Sequence, residues 1–237
     1  MKATLRILVL ALLVAGLLGT SSSAQASGTP TRISFARGTT GTTVQGWVGA
    51  NQVADYVIRA GGGQYMSVAL FASQNDIAPS GLYLVITDRY GNALLPLEWY
   101  QTSWTGTLPR SQDYLIRVFS VGGSDNFRLK VSIPAQIRFA PGTTGTSLLG
   151  FASPYQPVNY FFDARAYQYI TLTVYSPNDN VRLTLSGADG QPLVRSAVMG
   201  SNTWSGTLPA TQRYYLSVEQ MNGSAGTNFR LFMTIVG

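Results

Sequence analysis

The chain has 237 residues, 16 Lys+Arg against 10 Asp+Glu, a formal net charge of +6, and neither Cys nor His. Without those two residue types there is no disulfide, no Ser-His-Asp triad, no Cys nucleophile and no ordinary zinc site, so most hydrolase mechanisms are excluded. Only 11% of the residues are charged and no Lys/Arg run forms, which argues against nucleic acid, since phosphate binding wants a dense basic face.

Lys2 and Arg6 open the chain, followed by the apolar run Ile7 to Leu18. A membrane-spanning helix needs about 20 such residues, and this run is shorter. Ala24-Gln25-Ala26 then presents the small-x-small pattern that a signal peptidase accepts. Residues 1–26 therefore read as a signal peptide, with cleavage after Ala26 and export to the periplasm or the medium. No later stretch is apolar for long enough to span a bilayer.

From here the chain repeats itself. Ile33 to Thr42 (ISFARGTTGT) returns as Ile137 to Thr146 (IRFAPGTTGT), and Tyr56, Ala60, Gln64 and Tyr65 return as Tyr160, Ala164, Gln168 and Tyr169. Trp104-Thr-Gly-Thr-Leu-Pro109 returns as Trp204-Ser-Gly-Thr-Leu-Pro209, and Phe127-Arg-Leu129 as Phe229-Arg-Leu231. The expected organisation is one repeat over 27–133 and a second over 134–237. The join, Ile133 to Ile137, is too short for a flexible tether.

Each repeat reads as strands. Met66, Val68 and Leu70 alternate with small or polar neighbours, as do Leu82, Leu84 and Ile86, then Tyr114, Ile116 and Val118, then Phe127, Leu129, Val131 and Ile133. Period-two spacing marks half-buried strands. The second repeat carries Ile170, Leu172 and Val174, then Val181, Leu183 and Leu185, then Tyr214, Leu216 and Val218, then Phe229, Leu231, Met233 and Ile235. Gly, Pro, Asn and Asp fill the gaps, and helical spacing is absent after the signal peptide. The fold class is all-β: two tandem antiparallel β-sandwich, jelly-roll-like domains.

The shared residues run Ile33-x-Phe35-x-x-Gly38, Tyr56-x-x-x-Ala60-x-x-x-Gln64, Trp104-x-Gly106-x-Leu108-Pro109-x-x-x-x-Tyr114-x-x-x-Val118 and Asn126-Phe127-x-Leu129. This order resembles the bacterial pre-peptidase C-terminal-like (PPC-like) domains. Within them it is most similar to the periplasmic inhibitors of g-type lysozyme. The resemblance covers both repeats and implies a sandwich fold, a binding role and a lysozyme as one possible protein partner. It also implies basic side chains in the loop before the final strand. Val121 to Asp125 and Asn222 to Thr227 carry none.

Trp104 and Trp204 sit in the repeated motif and read as core residues shielded from solvent. Tyr114 and Tyr214 read as corner anchors whose hydroxyls bond the backbone. If Met66 to Leu70 point inward, Tyr65 and Phe71 point outward, as do Tyr169 and Tyr175 in the second repeat. Such rings are candidates for one stacking platform, or for packing against the other domain. Trp99-Tyr100 has no aromatic counterpart, because the second repeat holds Met199-Gly200 there. The expected ligand-binding residues are thus Trp99, Tyr100, Tyr65, Phe71, Tyr169 and Tyr175.

The acids are scattered differently in the two repeats, so no catalytic residue is assigned. Asp76, Asp88 and Glu98 have no spacing that pairs them for glycoside cleavage. No metal ligand series and no cofactor motif occurs. The reading is an exported, non-enzymatic binding protein whose favoured ligand is a glycan, including cell-wall polysaccharide. The alternatives are inhibition of a g-type lysozyme and a structural role in the envelope or surface layer.

Overall fold

The computed structural model describes residues 28–73, 77–154, 156–177, 179–194, 202–221 and 225–237. The expected signal peptide, Asn75, Asp76, and Met199-Gly200 lie outside them. The described chain is all-β, interrupted by a single 3-10 turn at Leu97–Trp99 and no α-helix. No helix among the described residues is long and apolar enough to cross a membrane.

The strands form two sandwiches of two sheets each. In the first, sheet I is ordered β1 (Thr31–Ile33), β3 (Val53–Ala60), β8 (Gln112–Ser120), β5 (Leu82–Asp88), β6 (Ala93–Leu95). It faces sheet II, ordered β2 (Gly41–Val48), β9 (Asp125–Ser132), β4 (Tyr65–Ala72), β7 (Ser103–Thr107). In the second, sheet III is ordered β10 (Ala135–Gln136), β12 (Val158–Ala164), β17 (Gln212–Gln220), β14 (Val181–Gly187), β15 (Pro192–Val194). Sheet IV is ordered β11 (Gly145–Ala152), β18 (Thr227–Val236), β13 (Tyr169–Tyr175), β16 (Thr203–Thr207). The pairing is antiparallel except at β1 with β3 and β10 with β12, which are parallel. These two edge strands enter from outside the sandwich and run beside β3 and β12 without a hairpin, which the alternation of residues does not foretell.

Each sandwich has its own core. Met66, Val68, Leu70, Leu84, Ile86, Ile116, Leu129 and Val131 are buried between sheets I and II. Ile170, Leu172, Val174, Leu183, Leu185, Leu216, Leu231 and Met233 are buried between sheets III and IV. Strict alternation produces this, because every second side chain of a strand meets the opposing sheet. Each such side chain contributes roughly 1.5–3 kcal/mol through burial.

Tyr114 and Tyr214 are fully buried, and their hydroxyls donate to the carbonyls of Arg110 and Ala210, both at 2.6 Å. The same hydroxyls accept the Arg110 and Ala210 N–H groups. The Trp expectation needs correction. Trp104 and Trp204 pack against the cores but are only half-buried, because β7 and β16 are edge strands and leave one flank of each indole open. Each ring folds back over the glycine two residues on. A Cβ at Gly106 would lie 2.6 Å from Trp104 Cζ2, and one at Gly206 2.7 Å from Trp204 Cζ2.

Only Ile133 and Pro134 separate β9 from β10. The sandwiches touch beside this join, with the outer face of sheet II turned toward the outer face of sheet III. Thr40 Oγ1 accepts the Asn159 N–H at 2.6 Å, Thr43 Oγ1 donates to Gln156 Oε1 at 2.9 Å, and the Phe151 N–H donates to the Gly38 carbonyl at 3.0 Å.

Candidate functional site

The outer face of sheet I carries an aromatic ridge at one end. Register places Val53 opposite Phe119 and Phe119 opposite Tyr83, so these three outward residues form one row across the sheet. The row is extended past β5 by the 3-10 turn. Tyr100 sits edge-on to Tyr83, with ring centroids 5.1 Å apart and planes at 77°. Trp99 and Tyr100 are 59% and 58% exposed, far above what a structural aromatic needs.

The turn that holds them is locally built. Pro96 starts it, the Tyr100 N–H donates to the Leu97 carbonyl at 2.9 Å, and Gln101 Nε2 donates to the Trp99 carbonyl at 2.9 Å. The Leu84 N–H then bonds the Gln101 carbonyl at 2.8 Å, fastening the segment to β5. Tyr100 closes the turn with φ +48°, a left-handed conformation that disfavours a bulky side chain. A tyrosine thus occupies a surface position where an asparagine or glycine would be less strained.

The remaining expected rings do not form one platform with this ridge or with each other. Tyr65 is turned into the junction, its ring 6.0 Å from that of Tyr215. Phe71 is half-buried on the same outer face, under the Lys130 ammonium at 5.7 Å. Tyr169 and Tyr175 lie exposed on sheet IV, on the side of the second sandwich away from the junction. Tyr175 meets Phe232 edge-on at 5.8 Å and, with Leu149, Pro177 and Arg230, lines a shallow apolar depression of about 260 Å³. The single-platform expectation is therefore corrected: the two outer faces that carry these rings belong to different sides of the molecule.

Sequence reasoning missed Tyr83 and Phe119 as members of the ridge. The signal was present, since both alternate with buried residues and so point outward, but nothing in the sequence says they share a row. Exposed Trp47, Tyr90 and Tyr167 were also unforeseen.

Several of the described acids are engaged in structure, while Glu98 is exposed in the 3-10 turn beside Trp99. Asp55 is held by Arg117, Asp113 by Arg32 and Asp163 by Arg213. Asp88 accepts from Asn92 Nδ2 and from the N–H groups of Tyr90 and Asn92, and the Asn92 side chain in particular holds its carboxyl below the usual range. The Asp113 carboxyl is likewise lowered, chiefly by its bond from Arg32. Among the described residues no group of three or more acids is placed to hold a metal ion.

No protein-family model matches the chain, and no curated protein matches it. Among solved structures, PliG of Aeromonas hydrophila, a periplasmic inhibitor of g-type lysozyme, is 24% identical with a TM-score of 0.37, covering 44% of this chain and 96% of that one. PliG of Salmonella Typhimurium, also a periplasmic inhibitor of g-type lysozyme, is 21% identical with a TM-score of 0.35, covering 44% of this chain and 97% of that one.

Proposed function

We propose that the chain is an exported binding protein without catalytic activity, built as sandwich domains over 27–133 and 134–237 after a signal peptide at 1–26. Its ligand is a neutral glycan, such as a cell-wall polysaccharide, held on the ridge of Trp99, Tyr100 and Tyr83. The observation that carries this reading is the pair of exposed rings on a strained, hydrogen-bonded turn, with Tyr83 edge-on to Tyr100. Flat apolar faces fixed at a surface suit the C–H faces of sugar rings, and a ridge with no ion pair suits an uncharged ligand. The engagement of Asp55, Asp88, Asp113 and Asp163 in internal bonds supports the non-enzymatic part of the reading.

The test is depletion of the protein from solution by insoluble peptidoglycan and by a neutral insoluble polysaccharide. The expected binding is weak and nearly unchanged between about 0.05 and 0.5 M salt, since no charge is screened. Replacing Trp99 and Tyr100 together by Ala should weaken it at least about tenfold, equivalent to roughly 1.4 kcal/mol. Inhibition of a g-type lysozyme that survives this double substitution, without glycan binding, would overturn the reading in favour of a protein partner. Absence of both activities would overturn it in favour of a structural envelope role. Mass spectrometry of exported material should find the N-terminus at Ser27.

A further inference from the structure

The contact between the sandwiches uses two surfaces, and each occurs a second time with nothing among the described residues covering it. At the contact, the β3–β4 turn (Gly62, Gly63, Gln64) and Pro134 form a cleft with Phe161 and Arg213 of the second sandwich. Phe161 is only 7% exposed although it belongs to neither core, and the Arg213 guanidinium lies 4.3 Å over its ring. Beside it, Tyr65 of sheet II meets Tyr215 of sheet III.

Register identifies the second occurrence of each surface. In sheet III, Phe161 pairs with Tyr215 and Tyr215 with Ser186. The matching outward positions of sheet I are Val57, Leu115 and Thr87. In sheet II, Tyr65 pairs with Thr107, and in sheet IV Tyr169 pairs with Thr207. The turn before Tyr169 repeats the fastening of the turn before Tyr65. The Gly63 N–H bonds the Leu108 carbonyl and the Tyr167 N–H the Leu208 carbonyl, both at 2.8 Å. The Gly62 N–H bonds Ser111 Oγ at 2.9 Å and the Ala166 N–H bonds Thr211 Oγ1 at 3.0 Å.

The side-chain sizes at these positions are exchanged. Inside the molecule the small Gly63 and the large Phe161 line the same cleft, and a Cβ at Gly63 would meet nothing within 4 Å. On the uncovered surfaces the large Tyr167 stands where Gly63 does, and the smaller Val57 stands where Phe161 does. Tyr167 is 85% exposed and keeps φ +69°, close to the +78° of Gly63. That conformation suits glycine and strains tyrosine, so the fold itself has no use for a tyrosine there.

We propose that a second copy of this chain docks head to tail, its Tyr167–Tyr169 tip against the Val57–Leu115 rows of sheet I, repeating the internal contact. A large knob then meets a shallow receiving face, with the sizes of the internal contact reversed. The two surfaces differ, so the contact is heterologous, and each addition leaves one tip and one face free. Growth is therefore open unless the rotation closes a ring. Thr87 and Tyr83 are four residues apart on β5, about 13 Å at 3.3 Å per residue, so the docking rows and the Trp99–Tyr100 ridge are separate sites on one face. The proposal does not depend on what that ridge binds.

Sedimentation velocity of the full exported protein over a concentration series tests it. The average mass should rise continuously past that of a dimer. Tyr167→Gly, which relieves the backbone, and Val57→Lys should each sediment as a single chain at every concentration. An equimolar mixture of the two variants should form a dimer and stop, because the first contributes an intact face and the second an intact tip. Excess Tyr167→Gly added to the unaltered protein should shorten its assemblies by capping them, a result that does not require Val57→Lys to fold. A single-chain mass for the unaltered protein throughout, association that persists in both variants, or a variant mixture that stays single would each overturn the proposal.

Discussion

Asp55 and Arg117 face each other across β3 and β8, joined by bonds of 2.7 and 2.8 Å, with the Asp55 side chain 3% exposed and that of Arg117 38%. The bond to Asp55 is the main reason the Arg117 guanidinium is held above its ordinary pKa. At the matching position of the second sandwich the pair is Asn159 and Ser217, with Ser217 Oγ donating to Asn159 Oδ1 at 2.8 Å. One sandwich thus uses an ion pair where the other uses a neutral hydrogen bond.

Removing only one member of that pair strands a charge. Asp55→Ala should lower stability by about 1–3 kcal/mol, toward the lower end because Arg117 reaches solvent. The double replacement Asp55→Asn with Arg117→Ser installs the neutral pair of the other sandwich and should recover most of the loss. Urea unfolding of the three proteins measures this. Equal destabilisation by the single and double changes would contradict it.

Alkaline pH should unfold the protein through its buried phenols. Burial pushes the Tyr160 hydroxyl up to about 12, and Tyr56 and Tyr65 are raised by the same cause. An unfolded tyrosine ionises near pH 10, so above that pH the unfolded chain has released a proton that the folded one still holds. Stability is therefore complete below about pH 10 and falls as pH rises toward about 12, by on the order of 3 kcal/mol for Tyr160. Tyr160→Phe should flatten most of that slope in unfolding midpoints measured across the range.

The Trp-x-Gly motif makes a local prediction. Gly106 has no room for a Cβ because the Trp104 ring lies over it. Gly106→Ala should push the indole off the sandwich, and Trp104→Ala should remove it, each at about 1–3 kcal/mol, because the ring is only half-buried. The two losses should not add when the changes are combined. A red-shifted Trp emission in Gly106→Ala at low denaturant would report the displaced ring.

The alternation of Met66, Val68 and Leu70, and of Phe127, Leu129 and Val131, was enough to predict strands, inward faces and a sandwich in each half. The repeated Leu-Pro-x-x-x-x-Tyr element likewise foretold the buried hydroxyl anchors at Tyr114 and Tyr214. Period two distinguishes in from out because a pleated strand offers only two faces, and a run of apolar residues on one of them has to be buried. It carries no information about what lies beyond the outward face. Tyr65 and Tyr169 follow the same pattern in sequence, yet one meets Tyr215 at the junction and the other faces solvent. Tyr83 joins Trp99 and Tyr100 only because the 3-10 turn folds back along β5. Those placements depend on contacts between residues far apart in the chain, where shape and register choose the neighbour, and so only the tertiary structure decided them.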